Sequence, residues 1–102
     1  MKRHFPRPPV ALITGASQGL GAFLARELSR EGYQMVLHYR RNRSGADRLI
    51  RKIRSEGGQA SGLQADLARP ADVNRMMGKM KKKFGRLDLL INNAGTYQPT
   101  PL

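Results

Sequence analysis

Val10-Ala11-Leu12-Ile13-Thr14-Gly15-Ala16-Ser17-Gln18-Gly19-Leu20-Gly21 is the stretch that decides how this chain folds. Val10 to Ile13 is an apolar run that reads as a short buried strand. From Gly19 a helical pattern runs to Gly32, with Leu20, Leu24 and Leu28 in step. Glycines between the two let the turn tighten and let a ligand approach bare backbone. Unpaired amides and the positive end of the helix dipole then face that ligand, which should be an anion. The spacing, T-G-x-x-x-G-x-G, differs from the G-x-G-x-x-G fingerprint and lacks the Gly-Lys-Ser/Thr ending of a P-loop. Glycines ahead of a helix also serve as plain turn formers. The strand before them and the helix after them favour a dinucleotide pyrophosphate.

Working outward, the basic opening with Pro6, Pro8 and Pro9 reads as an irregular arm over residues 1–8. The first strand is expected over Val10 to Thr14, and the first helix from Gly19 to about Glu31. Gln34 to Tyr39 makes a second strand. Ser44 and Asp47 fit a capping box for a second helix, whose buried stripe would be Ala46, Leu49, Ile50 and Ile53. Gly57-Gly58 stops it. A weak third strand spans Gln59 to Ala65 and ends at Asp66. Pro70 suits the first turn of a third helix, with Val73, Met76, Met77, Met80 and Phe84 on one face. Methionines so placed are soft core packing. Gly85 closes that helix, Leu87 to Ile91 forms a fourth strand, and Asn92-Asn93-Ala94-Gly95 follows it. The folded unit is expected over residues 9–95, with an unstructured tail over 96–102.

The order βαβαβαβ implies an α/β fold: a doubly wound parallel sheet, strand order 3-2-1-4, with right-handed crossovers. Ligands of such sheets bind outside the carboxyl ends of the strands. That rule gathers the turn at Gly15–Gly21, the Tyr39–Arg41 segment, Asp66 and Asn92–Gly95 onto one edge.

At 102 residues the chain is one domain at most. It has no cysteine, which rules out a disulfide framework and a thiolate zinc site. His4 and His38 are too few to point to a metal. No apolar run approaches the ~20 residues a membrane helix needs, and no h-region follows the basic start, so the cytoplasm is the expected location. Lys and Arg number 19 against 7 Asp and Glu, a formal charge of +12. Such a balance raises nucleic acid as a partner. The basic residues of 40–54 and 75–86 nevertheless fall largely on helix positions opposite the apolar ones, where they read as solvated faces. Aromatic residues are not interleaved with them, so a stacking platform is absent and nucleic acid is disfavoured.

Taken together, these loops resemble the short-chain dehydrogenase/reductase family. The pattern Thr14 to Gly21 looks like its cofactor motif, Asp66-Leu67 like its adenine-contacting pair, and Asn92-Asn93-Ala94-Gly95 like its N-N-A-G motif. The resemblance implies a Rossmann-type fold. It implies that Thr14, Gly15, Ser17, Gln18, Gly19, Leu20 and Gly21 serve the pyrophosphate and ribose. Asp66 and the Leu67 amide would hold the adenine, and Asn93, Ala94 and Gly95 would support the ribose side. At the end of strand two, an acid would grip the ribose 2′-hydroxyl of NAD. This chain carries Tyr39-Arg40-Arg41 instead. A guanidinium suits the 2′-phosphate of NADP, so NADP(H) is expected over NAD(H), through Arg40 with Arg41 or Arg43 as helpers. Those arginines read otherwise as solvent-facing loop charge. His38-Tyr39-Arg40-Arg41 also resembles pteridine-reductase-like and oxoacyl-reductase-like branches of the family, which implies a small carbonyl substrate.

The departure is as informative. The family carries a catalytic Ser and a Tyr-x-x-x-Lys pair beyond the N-N-A-G loop. Here Tyr33, Tyr39 and Tyr97 are followed four residues on by Leu37, Arg43 and Pro101. The expectation is an N-terminal fragment, truncated before the catalytic half, which binds cofactor and takes substrate only if the missing half is supplied. The alternative is a non-catalytic module for nucleotides or polyanions. The fourth strand would be an open edge with Leu89 and Ile91 partly exposed, favouring self-association.

Overall fold

The computed structural model describes residues 7–93. Seven elements alternate: β1 Val10–Ile13, α1 Gly19–Arg30, β2 Gln34–Tyr39, α2 Arg43–Ser55, β3 Ala60–Gln64, α3 Pro70–Lys83 and β4 Leu89–Ile91. The four strands form one sheet in the order β3-β2-β1-β4, and every neighbouring pair is parallel. This is the expected Rossmann-type order. β1 is central, with Leu12 opposite Val36 on one side and Leu90 on the other.

Strand alternation sends side chains to two cores. Ala11, Ile13, Met35 and Leu37 pack with Ala25 of α1 and with Leu49 and Ile53 of α2. Val10, Leu12 and Val36 pack on the opposite face with Met76 and Met80 of α3. β1 and the middle of β2 are thus covered on both faces, as continuous apolar strands of parallel sheets are.

Several local expectations change. Leu20 is 64% exposed, and the buried line of α1 is Gly21, Ala25 and Ser29, with Leu24 and Leu28 half-buried beside it. The reason is close approach: a Cβ on Gly21 would stand 2.6 Å from the Gly15 carbonyl oxygen. The helix therefore turns its small residues, not its leucines, to the sheet. The Ser44–Asp47 capping box does not form. Asn42 is the N-cap of α2, its Oδ1 accepting from the Gly45 amide at 3.0 Å and from the Ser44 hydroxyl at 3.3 Å. Asp47 pairs with Arg43 one turn back instead. Ile50 is only half-buried on α2. On α3, Met77 is 38% exposed, so the buried stripe narrows to Met76 and Met80. β4 is an edge, with Leu89 and Ile91 half-buried against the α1 core and Leu90 54% exposed on the other face.

Candidate nucleotide-binding site

The carboxyl end of the sheet is assembled around the turn after β1. Gly15 and Gly19 take φ of 64° and 62°, the left-handed region that a side chain disfavours. The Gly15 turn is held from both flanks. From β4, Asn93 Nδ2 donates to the Gly15 carbonyl at 3.1 Å, and the Asn93 amide donates to the Thr14 hydroxyl at 2.8 Å. That hydroxyl in turn donates to Asn92 Oδ1 at 3.0 Å. From β2, the Ala16 amide donates to the His38 carbonyl at 2.9 Å, and the Gly15 amide donates to His38 Nδ1 at 2.9 Å.

At the start of α1 the N-cap is Gln18, which makes no side-chain cap, and the first turn contains no acid. The first amides of a helix need partners, and here no side chain of the helix start supplies one. Around the place where a Cβ on Gly19 would stand, no heavy atom lies within 4 Å. Open amides above an open glycine fit a diphosphate.

A cleft of about 470 Å³ begins at this turn and runs towards β3. Its lining includes Gly15, Ser17 and Gln18 on one side and Arg40, Arg41 and Asn42 on another. Asp66, Leu67 and Ala68 complete it, with His38 at its base. Asp66 Oδ1 accepts from the Ala68 amide at 3.0 Å, and Oδ2 meets Arg40 Nη2 at 3.3 Å. The Asp66 amide donates to Asp72 Oδ2 at 2.9 Å. That bond, aided by Arg75 and Arg69, holds the Asp72 carboxyl below its ordinary value. The Arg40–Asp66 pair is worth little while its guanidinium is 55% exposed. Arg41 has no ion-pair partner among the described residues.

Of the residues expected at the site, Gly15, Ser17, Gln18, Arg40, Arg41, Asp66 and Leu67 thus line one cleft. Thr14, Gly21 and Asn93 stand behind the turn and shape it. Leu20 projects to solvent. Tyr39 sits beside Gly62, with ring carbon Cε1 3.4 Å from where a Cβ there would stand. Ala94 and Gly95 lie outside the described residues. His38 and Asn42 were missed as site residues. For His38 a signal existed, because a polar ring inside an apolar strand must find partners. Among the described residues, no cluster of three His, Asp or Glu could hold a metal, and no helix is long and apolar enough to cross a membrane.

A parallel sheet in the order 3-2-1-4, with a glycine turn and an uncapped helix start after its central strand, defines a Rossmann-type fold. The short chain dehydrogenase family model matches residues 9–102, and the chain belongs to that family. It is 38% identical over 89 residues to an uncharacterized oxidoreductase of Methylorubrum extorquens, covering 87% of this chain and 36% of that protein. It is also 38% identical over 93 residues to a 3-oxoacyl-[acyl-carrier-protein] reductase of Synechocystis, covering 91% of this chain and 38% of the relative. Among solved structures, a metagenomic short-chain oxidoreductase in complex with NADP superposes with a TM-score of 0.83 at 35% identity, over 86% of this chain and 39% of that one. The chain therefore spans well under half the length of these relatives.

Proposed function

We propose that this chain is the cofactor-binding half of an NADP(H)-dependent carbonyl reductase of the short-chain family. The observation that carries the reading is one cleft with the uncapped start of α1 at one end and Arg40 and Arg41 at the other. The helix start binds the diphosphate. Arg40 and Arg41 bind the 2′-phosphate, with no acid at the end of β2 to favour a free ribose hydroxyl. The Arg40–Asp66 contact modifies the assignment, since Arg40 is shared with an acid and Arg41 is not. The cofactor would supply hydride, and the relatives named as reductases support a carbonyl acceptor. The sequence holds no Tyr-x-x-x-Lys pair, so the chain alone binds cofactor without reducing carbonyls.

Calorimetry with NADPH and NADH tests the reading. NADPH should bind more tightly by one to two orders of magnitude, about 1.5–3 kcal/mol. Arg40→Ala and Arg41→Ala together should erase the gap and leave NADH affinity nearly unchanged. Equal affinities in the unmutated chain would count against the assignment. The same protein with NADPH and a panel of ketones, oxoacyl thioesters and pterins should show no loss of reduced-cofactor absorbance above a protein-free control.

A second reading, a polyanion-binding module, has one observation in its favour. Arg48, Arg51 and Lys52 are exposed along α2, and no described carboxylate pairs with them. It requires affinity for a nucleic acid that falls steeply with the logarithm of salt concentration.

A further inference from the structure

We propose that the amino end of the sheet carries a second small-molecule site, which takes an organic phosphate: a phosphate group on a flat apolar body. It lies at the other end of the strands from the nucleotide cleft and does not rest on the nucleotide reading. A cleft of about 400 Å³ opens there, between the segment leading into β1, the start of β2 and the end of α3. That volume suits one small ligand.

Three elements fix its walls. The Gln34 amide donates to the Pro9 carbonyl at 2.8 Å, which ties the segment of Arg7 and Pro8 to the start of β2. Lys83 is the last residue of α3, where the carbonyl end of the helix favours a cation. Phe84 follows it and packs against the core of Val10, Leu12 and Met80, which holds it as an apolar wall. The Lys83 ammonium stands 5.4 Å from the centre of the Phe84 ring. A cation and an aromatic ring are thus adjacent in one cleft.

The open polar groups of this lining are donors. Among the described residues, Arg7 and Lys83 have no carboxylate within ion-pair distance. The Gln34 side-chain amide makes no hydrogen bond to a described residue. Arg86 differs, because it and the Val10 amide take up both oxygens of Asp88. That acid and that arginine offset each other, which leaves two uncompensated positive charges. The β1 backbone spends its groups on closing the sheet, so the open donors are all side chains at the rim.

Two cations with no free acid favour a dianion over a monoanion, and a guanidinium meets a phosphate with paired donors. A bare phosphate would leave Pro8 and the Phe84 ring facing water. An apolar body attached to it covers them and gains by doing so.

Phenyl phosphate is the probe, added to the full 15N-labelled chain at low salt and about pH 7.5, where a phosphate monoester carries close to two charges. The amide signals of Gln34, Phe84 and Arg86 should shift and saturate together, while those of Gly15 and Gly19 stay still. Benzoate, with one charge, and inorganic phosphate, with no apolar body, should each bind about fivefold more weakly. Arg7→Gln combined with Lys83→Met should weaken phenyl phosphate about tenfold and leave the denaturation midpoint unchanged. Phe84→Leu keeps an apolar residue on the core and should bring phenyl phosphate down to the level of inorganic phosphate. Equal affinity in wild type and the Arg7/Lys83 variant overturns the proposal. So do shifts confined to Gly15 and Gly19, or inorganic phosphate that binds as tightly as phenyl phosphate.

Discussion

At the amino end of the sheet, Asp88 accepts from the Val10 amide at 2.7 Å and from both Nε and Nη2 of Arg86, at 2.8 and 2.7 Å. Its own amide donates back to the Val10 carbonyl at 2.9 Å. At the carboxyl end of the same strand, the helix that follows starts with no side-chain cap. One end spends its polar groups on closing the sheet. The other ties the turn down from beneath, through Asn93, Thr14 and His38, and leaves its upper amides open. Cohesion and binding are thus separated along the length of one short strand. Polar groups that are satisfied hold the fold, and those left open are where an anion gains most.

The strongest way to break that separation is to strike where the two roles meet. Gly21→Ala would place a Cβ 2.6 Å from the Gly15 oxygen and 2.7 Å from Asn93 Nδ2. Overpacking of this kind costs about 1–3 kcal/mol. Urea denaturation should show that loss, and calorimetry should show NADPH binding abolished as the turn shifts. Gly19→Ala is the sharper companion, since open space leaves only the backbone penalty of about 1–2 kcal/mol for a side chain at positive φ.

Asp88→Ala attacks the opposite end. It removes the acceptor for Val10 and Arg86, and should lower Tm by less than Gly21→Ala does. NADPH affinity should not change. A fall in affinity matching that of the glycine variants would mean that the two ends are coupled.

The smallest expected effect is a matter of acid. Arg26, and after it Arg30, hold the Glu56 carboxyl from its ordinary 4.5 down to about 2. A folded-state value below the unfolded one gives stability that is present above about pH 4.5 and lost as pH falls through about 2. Asp88, held down by Arg86 and the Val10 amide, acts in the same direction. Denaturation midpoints followed from neutral pH to about pH 2 should decline over that window. Glu56→Gln should flatten part of the decline.

Element order, strand order and the clustering of four loops on one edge were legible, because the period changes cleanly between apolar strands and amphipathic helices. The errors fall where a single contact outweighs the period. Leu20 fits the helical stripe in sequence, but the approach of Gly21 to Gly15 rotates it outward. Asn42 and Ser44 are both good caps, and only the geometry of the turn after β2 selects Asn42. Leu90 is more exposed than the flanking Leu89 and Ile91, because they pack on the α1 core and it faces the other way. That Asp66 holds Arg40 depends on two loops meeting in space, which spacing alone does not encode.

The pairing of β1 with β4 also sets an order of events during synthesis. The glycine turn is made well before the residues that anchor it, since Thr14 and Gly15 are held by Asn92 and Asn93. Val10 and Asp88, which close the other end, are 78 residues apart. At translation rates of about 5–20 residues per second, that separation is roughly 4–16 s. For that interval the turn has only its His38 side to lean on, and a nascent chain that has not reached Asn93 cannot hold it in its final shape.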